Sequence, residues 1–192
     1  KHQSLFEVEI AKNVTEDDIE KWYELYRNVK GRNFELNTFI FPKKLFAAMA
    51  KNKNCEIMQL RLKSSNPEDN GKIVAVTFNM ITVSKAFCGI IIGMDYNFLK
   101  THNVYKQTLY QSLLRAGKLN VKKIFFGFTA SDIKRKFGAK PVPQVAYFQM
   151  QDNFSLSVIN SIANTGKLTE AEKKSIAVNK EKPDEKKKEV EV

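Results

Sequence analysis

The chain has 192 residues, 43% of them hydrophobic and 11% aromatic, with 14 phenylalanines, enough for one well-filled domain or two cramped ones. Its 8 glycines and 5 prolines exclude collagen-like and low-complexity classes, and its longest apolar stretch, Phe87 to Met94, is far short of the ~20 residues that span a bilayer. A net charge of +11 points to a phosphate-bearing partner, either nucleic acid or a nucleotide cofactor.

In chain order, Ser4 to Ile10 alternates as a strand. Thr15 then caps a helix whose first residues, Glu16, Asp17 and Asp18, suit its positive end. Ile19, Trp22, Tyr23, Leu25 and Tyr26 carry the helical period through Asn28. Pro42 opens a second helix to Ala50. Met58, Leu60 and Leu62 alternate, the turn residues Ser64 to Gly71 come next, and Val74, Val76, Phe78 and Met80 resume the period of two, predicting an antiparallel hairpin. Phe87 to Met94 reads as a central strand buried on both faces. From Asn103 to Lys118 the pattern turns helical, with Tyr105, Leu109, Leu113, Ala116 and Leu119 tracing the inward face. Ile124, Phe126 and Phe128 give another strand, Asp132 to Phe137 a short basic helix ending at Gly138, Val142 to Gln151 a last strand and Phe154 to Asn164 a closing helix. The order βααβββαβαβ predicts an α/β (α+β) domain over residues 1–165 with a mixed, mostly antiparallel central sheet flanked by helices. Residues 166–192, with eight lysines against seven acids from Lys167 onward, read as a charged, disordered tail.

The positive charge is concentrated. Lys100, Lys106, Arg115, Lys118, Lys122, Lys123, Lys134, Arg135, Lys136 and Lys140 face one acid, Asp132, so the segment contributes +9 of the +11, and these side chains are expected to converge on one groove. Cys55 and Cys88 sit in apolar runs and read as reduced core thiols. His2 and His102 are the only histidines, so neither a metal centre nor a Ser-His-Asp triad is expected. No apolar leader follows Lys1, and a cytoplasmic location is expected.

A buried strand running into a helix flanked by basic residues offers unpaired N–H groups and partial positive charge for a pyrophosphate. Together with three stretches, Asn37 to Lys51 (NTFIFPKKLFAAMAK), Ile91 to Gln111 (IIGMDYNFLKTHNVYKQTLYQ) and Phe126 to Val145 (FGFTASDIKRKFGAKPVPQV), this resembles the GNAT acyltransferase superfamily. The resemblance is closer to a divergent branch related to the peptidoglycan aminoacyl ligases, found fused to pyridoxal-phosphate α-oxoamine synthase-type enzymes. It spans roughly Ser4 to Asn164. It implies an acyl-CoA-dependent N-acyltransferase, taking acetyl-CoA or another acyl-CoA as donor and an amine as acceptor, by direct transfer. A fused or associated α-oxoamine synthase-type enzyme is the implied partner.

The resemblance implies cofactor contacts from Ile92, Gly93, Met94, Asn103, Tyr105 and Lys106, with Gly93 admitting the thioester, Asn103 capping the helix and Lys106 reaching a phosphate. It implies acceptor contacts from Tyr96 and Lys134. Asp95 would orient or deprotonate the amine, and Tyr147 would protonate the leaving thiolate, since the short basic helix carries Phe137 where many such enzymes have a tyrosine. One departure stands out. Where the superfamily has Arg/Gln-x-x-Gly-x-Gly/Ala, His102 to Tyr110 contains no glycine, so side chains such as Tyr105 are expected to crowd the phosphate loop. Two other readings remain: a non-catalytic module with a basic groove for RNA or an acidic protein, and a degenerate acyltransferase fold packed on a neighbouring enzyme domain. The Ile124, Phe126, Phe128 alternation is explained by sheet packing, and no RNA-recognition motif is present, so nucleic acid is the weaker partner.

Overall fold

The computed structural model describes residues 3–32, 40–127 and 131–143. The chain divides into two compact units, Lys1–Gly138 and Ala139–Val192, and every described helix and strand belongs to the first. The expected last strand and closing helix, the boundary at 165 and Tyr147 lie outside the described residues.

Five strands form one sheet in the order β1 (Phe6–Ile10), β2 (Cys55–Leu62), β3 (Ile73–Ile81), β4 (Ala86–Met94), β5 (Lys123–Phe125). The first four are antiparallel neighbours, and β5 runs parallel to β4. A parallel neighbour needs a crossover, and the helix α3 (Val104–Lys118) supplies it. The mixed, mostly antiparallel sheet with flanking helices is the architecture expected.

Helix α1 (Glu16–Arg32) runs one turn beyond the expected Asn28. Its start is a reciprocal capping box: Asp18 Oδ2 accepts from the Thr15 backbone N–H at 2.9 Å, and Thr15 Oγ1 accepts from the Asp18 N–H at 3.2 Å. Helix α2 (Lys43–Lys51) starts after Pro42. Together they bury Ile19, Trp22, Leu25, Tyr26, Phe46 and Met49 against Ile57, Val76, Phe78 and Ile91 of the sheet. The fully buried Trp22 donates to Gln59 at 2.9 Å, and Gln59 in turn donates to Glu9 at 2.6 Å, so a polar strand residue satisfies the indole inside the core. Arg61 also donates to Glu9 at 2.8 Å, and these two bonds hold the Glu9 carboxyl below its usual range.

The opposite face is built differently from the expectation. Ala75, Leu60, Leu62 and Met94 cluster around Val104, but α3 buries Thr108, Gln111 and Ser112 alongside Val104, Leu109 and Ala116, leaving Leu114 exposed. In the sheet beneath, Thr77 and Asn79 are buried, Asn79 donating to Thr77 Oγ1 at 2.9 Å, and Arg115 reaches Glu56 with two bonds, one of 2.8 Å. Polar groups are thus buried on both sides of this interface, and Arg115–Glu56 ties the helix to the sheet. Thr108 and Ser112 satisfy their hydroxyls on carbonyls one turn back, at 2.9 Å each.

Candidate functional site

Strand β4 is not a uniformly buried central strand. Ala86 pairs with Lys123, Phe87 with Ile124 and Cys88 with Phe125, and there the parallel pairing ends. β5 ends at Phe125, one residue short of the expected Phe126, ahead of Gly127 at φ +73°; Phe128 lies outside the described residues. One residue further along β4 the register to β3 slips: Phe78 faces Ile91 while Asn79 faces Gly89. Ile90 is the extra residue, a bulge that leaves it 48% exposed. A bulge bends its strand and re-aims the residues beyond it.

Beyond the bulge β4 remains joined to β3 and no described strand joins its other edge. The Asp95 N–H donates to the Val74 carbonyl at 2.9 Å. By the alternation of an antiparallel strand, Ile92 and Met94 therefore turn their N–H and C=O groups away from β3, toward the side that β5 does not reach. β5 ends at Phe125 while β4 runs on to Met94, and the wedge is the length of β4 edge left unpaired among the described residues. Its closed end lies at Gly89 and Gly127, where the Gly89 carbonyl oxygen would be 3.6 Å from a Cβ built on Gly127.

Gly93 sits in this open stretch, but its lack of a side chain serves the opposite face. A Cβ there would lie 2.7 Å from the Tyr26 backbone nitrogen and 2.8 Å from the Leu25 carbonyl carbon. The glycine lets α1 lie directly on β4.

At the open end of the wedge, Asp95 caps a 3₁₀ turn (Tyr96–Phe98): its Oδ1 accepts from the Asn97 N–H at 3.0 Å, and its Oδ2 lies 3.3 Å from the Lys72 ammonium. Tyr96 lies under the Arg32 guanidinium, 4.5 Å from the ring centroid. Burial pushes the Tyr96 hydroxyl up, with Arg32 acting in the opposite direction, and burial pushes neighbouring Tyr105 up to about 12. Tyr105 packs against the cluster around Val104. It is therefore turned inward and does not crowd the helix start.

Helix α3 begins at Val104, as expected, but Asn103 does not cap it. Its side chain makes no cap hydrogen bond and its backbone is left-handed, φ 52° and ψ 39°. Asparagine adopts that region more readily than other non-glycine residues. The positive φ for which a glycine would be the default is met by Asn103 instead. Because no side chain occupies the cap, the N–H groups of Val104, Tyr105 and Lys106 stay available, and Lys106 is exposed in that first turn.

Lys134 lies at the other end. It sits in the short helix α4 (Ser131–Lys136), is 8% exposed, and donates to the Gly127 carbonyl at 3.3 Å. Burial lowers its ammonium to about 8. Burial also raises the thiols of Cys55 and Cys88, both free, which makes them poor nucleophiles.

The ten basic residues do not converge. Lys100 and Lys106 flank the start of α3, while Lys118 and Lys122 lie at its far end, about 22 Å away along fifteen residues. Arg115 is committed to Glu56 and Arg135 lies 3.9 Å from Asp132. A lysine-rich sequence segment became separate patches because a straight helix runs through it. Arg32 and Lys72, which do reach the open end, lie far away in sequence and carried no local signal.

No family model matches the sequence, and no curated protein matches it. Solved structures do. An aminoglycoside acetyltransferase from an uncultured soil metagenomic sample, solved with sisomicin, aligns at TM-score 0.53 and 15% identity, over 80% of this chain and 100% of its own. A GNAT family acetyltransferase from Staphylococcus aureus aligns at 0.51 and 13%, over 77% and 98%. A ribosomal-protein-alanine N-acetyltransferase from Brucella melitensis aligns at 0.52 and 12%, over 76% and 100%. The fold is the GNAT fold. Within it, the unpaired β4 edge beyond the bulge and the uncapped α3 start are features of this chain's own geometry. Among the described residues no cluster of His, Cys, Asp and Glu could hold a metal, and no helix is long and apolar enough to cross a membrane.

Proposed function

We propose that the chain is an acyl-CoA-dependent N-acyltransferase that moves an acetyl or longer acyl group directly from the thioester to an amine. The observation that carries this is the wedge. The free edge of β4 runs from the closed end at Gly89 to Met94, and a 3₁₀ turn joins it to the uncapped first turn of α3. From Gly89 to Met94 a strand spans about 16 Å, a channel suited to an extended pantetheine arm. Its wall of outward-facing N–H and C=O groups on Ile92 and Met94 can bond amides of that arm as a further strand would. The N–H groups of Val104, Tyr105 and Lys106, with the Lys106 ammonium, would hold the pyrophosphate.

In this reading the thioester lies at the closed end, beside the Ile90 bulge, where an N–H turned toward the wedge can polarise the carbonyl. Holding donor and acceptor together is the main source of rate, and no covalent intermediate on the protein is required. Lys134 borders the acceptor's space at the closed end, Tyr96 lies at the open end under Arg32, and Gly93 keeps β4 against α1. Asp95 acts by positioning: capping the turn after β4, it fixes how the strand enters α3. Thermal-shift titration with acetyl-CoA, longer acyl-CoAs and a single-stranded RNA tests the reading. Stabilisation by the CoA esters and none by RNA is expected; stabilisation by RNA alone would replace this reading with the binding module.

A further inference from the structure

Lys134 is unlike the other lysines of its segment. Lys100, Lys106, Lys118, Lys122, Lys123 and Lys136 are exposed, as solvated ammonium groups usually are. The Lys134 side chain is folded inward from α4 onto the Gly127 carbonyl, and Gly127 lies against Gly89 at the closed end of the wedge. With the donor's thioester at that end, the Lys134 amine, 3.3 Å from the Gly127 carbonyl oxygen, is a buried protein nitrogen beside it. We propose that Lys134 is a self-acylation site, taking the acyl group of a bound acyl-CoA onto its own Nζ.

The inference rests on the acyl-CoA reading, and the chemistry balances without any further reagent. Neutral Nζ attacks the thioester carbonyl carbon, a C–N bond forms, the C–S bond breaks, and the proton released by nitrogen is taken up by the departing thiolate or water. Nothing is oxidised or reduced. Burial helps, because an amine that titrates at about 8 rather than 10.5 is neutral about 300 times more often near pH 7. The product is an amide, so the event is a lasting modification that removes the charge and fills the acyl end. The acylated chain is expected to turn over more slowly than the unmodified one.

The test needs no acceptor. The full chain is incubated with acetyl-CoA near neutral pH and followed by intact-mass measurement and peptide mapping, with desulfo-CoA binding measured in parallel by calorimetry. The expected result is one added acetyl group per chain, mapped to Lys134, stable to hydroxylamine (unlike a thioester on Cys55 or Cys88) and suppressed by excess desulfo-CoA. Lys134→Arg, which keeps the charge, and Lys134→Met are each expected to lose the adduct while still binding desulfo-CoA. If either variant fails to fold, the peptide map of the parent chain still decides. A parent that binds desulfo-CoA but acquires no adduct at Lys134, or acquires acetyl groups on surface lysines regardless of desulfo-CoA, overturns the self-acylation and leaves the acyl-CoA reading standing. A parent that binds no desulfo-CoA overturns both.

Discussion

Single residues set the tolerances of this fold. At Gly93 the nearest atoms to an added Cβ are the backbone nitrogen of Tyr26 and the carbonyl carbon of Leu25, and backbone inside a seventeen-residue helix cannot step aside cheaply. Gly93→Ala should therefore destabilise the protein by about 1–3 kcal/mol, the usual cost of overpacking, read as a lower urea midpoint at unchanged slope. A wild-type midpoint would mean that α1 is not seated on β4. Lys134 gives a prediction of opposite sign. Its folded-state ammonium titrates at about 8, below the ordinary 10.5, so between those values the unfolded chain binds more protons and stability rises with pH. Below pH 8 the full burial penalty is present. Lys134→Met should thus be more stable than the parent by on the order of 1–3 kcal/mol at pH 7, the gain fading as pH approaches 10.5. A difference that stays constant across that range would assign the gain to packing alone.

Elements differ in how far the local sequence announced them. The hairpin of β2 and β3 was legible because alternation and the Ser64–Gly71 turn residues are local signals, and the α1 start because Thr15 and Asp18 lie three residues apart. The bulge in β4 and its unpaired edge were not, since Ile90 becomes a bulge only through pairing with β3, and Gly93 meets Tyr26 across 67 residues. The inward face of α3 was misjudged for a different reason: periodicity counts apolar residues, whereas Thr108 and Ser112 can be buried because their hydroxyls bond carbonyls one turn back in the helix itself. Of the candidate site, the order of strand, turn and helix was readable, but which lysines were buried was not. Asn103 offers a test of how the element begins. If its value is the left-handed backbone rather than a cap, Asn103→Gly should change stability by only a few tenths of a kcal/mol. Asn103→Val should cost about 1–2 kcal/mol, because a β-branched residue resists that region. Circular-dichroism melts of both variants check it, and equal losses in the two would restore a capping role.

For the whole molecule, the distribution of charge decides what kind of phosphate ligand it can hold. A polyanion lying along the surface would need the basic residues to form a continuous track, and among the described residues of the Lys100–Lys140 segment the length of α3 separates Lys100 and Lys106 from Lys118 and Lys122. A compact pyrophosphate needs only one end, where the first-turn N–H groups and Lys106 meet, with Arg32 and Lys72 nearby on Tyr96 and Asp95. Lys106→Glu should accordingly weaken CoA binding by roughly 1.5–3 kcal/mol, the range for a charge-assisted bond. Lys118→Glu and Lys122→Glu, about 20 Å away along the helix, should leave CoA affinity within twofold, because over two Debye lengths at physiological salt their field is screened. Calorimetry with CoA on the three variants at one ionic strength makes the comparison. Equal weakening by all three would show that binding follows net charge and not the helix start, and an unaffected Lys106→Glu would move the pyrophosphate away from α3.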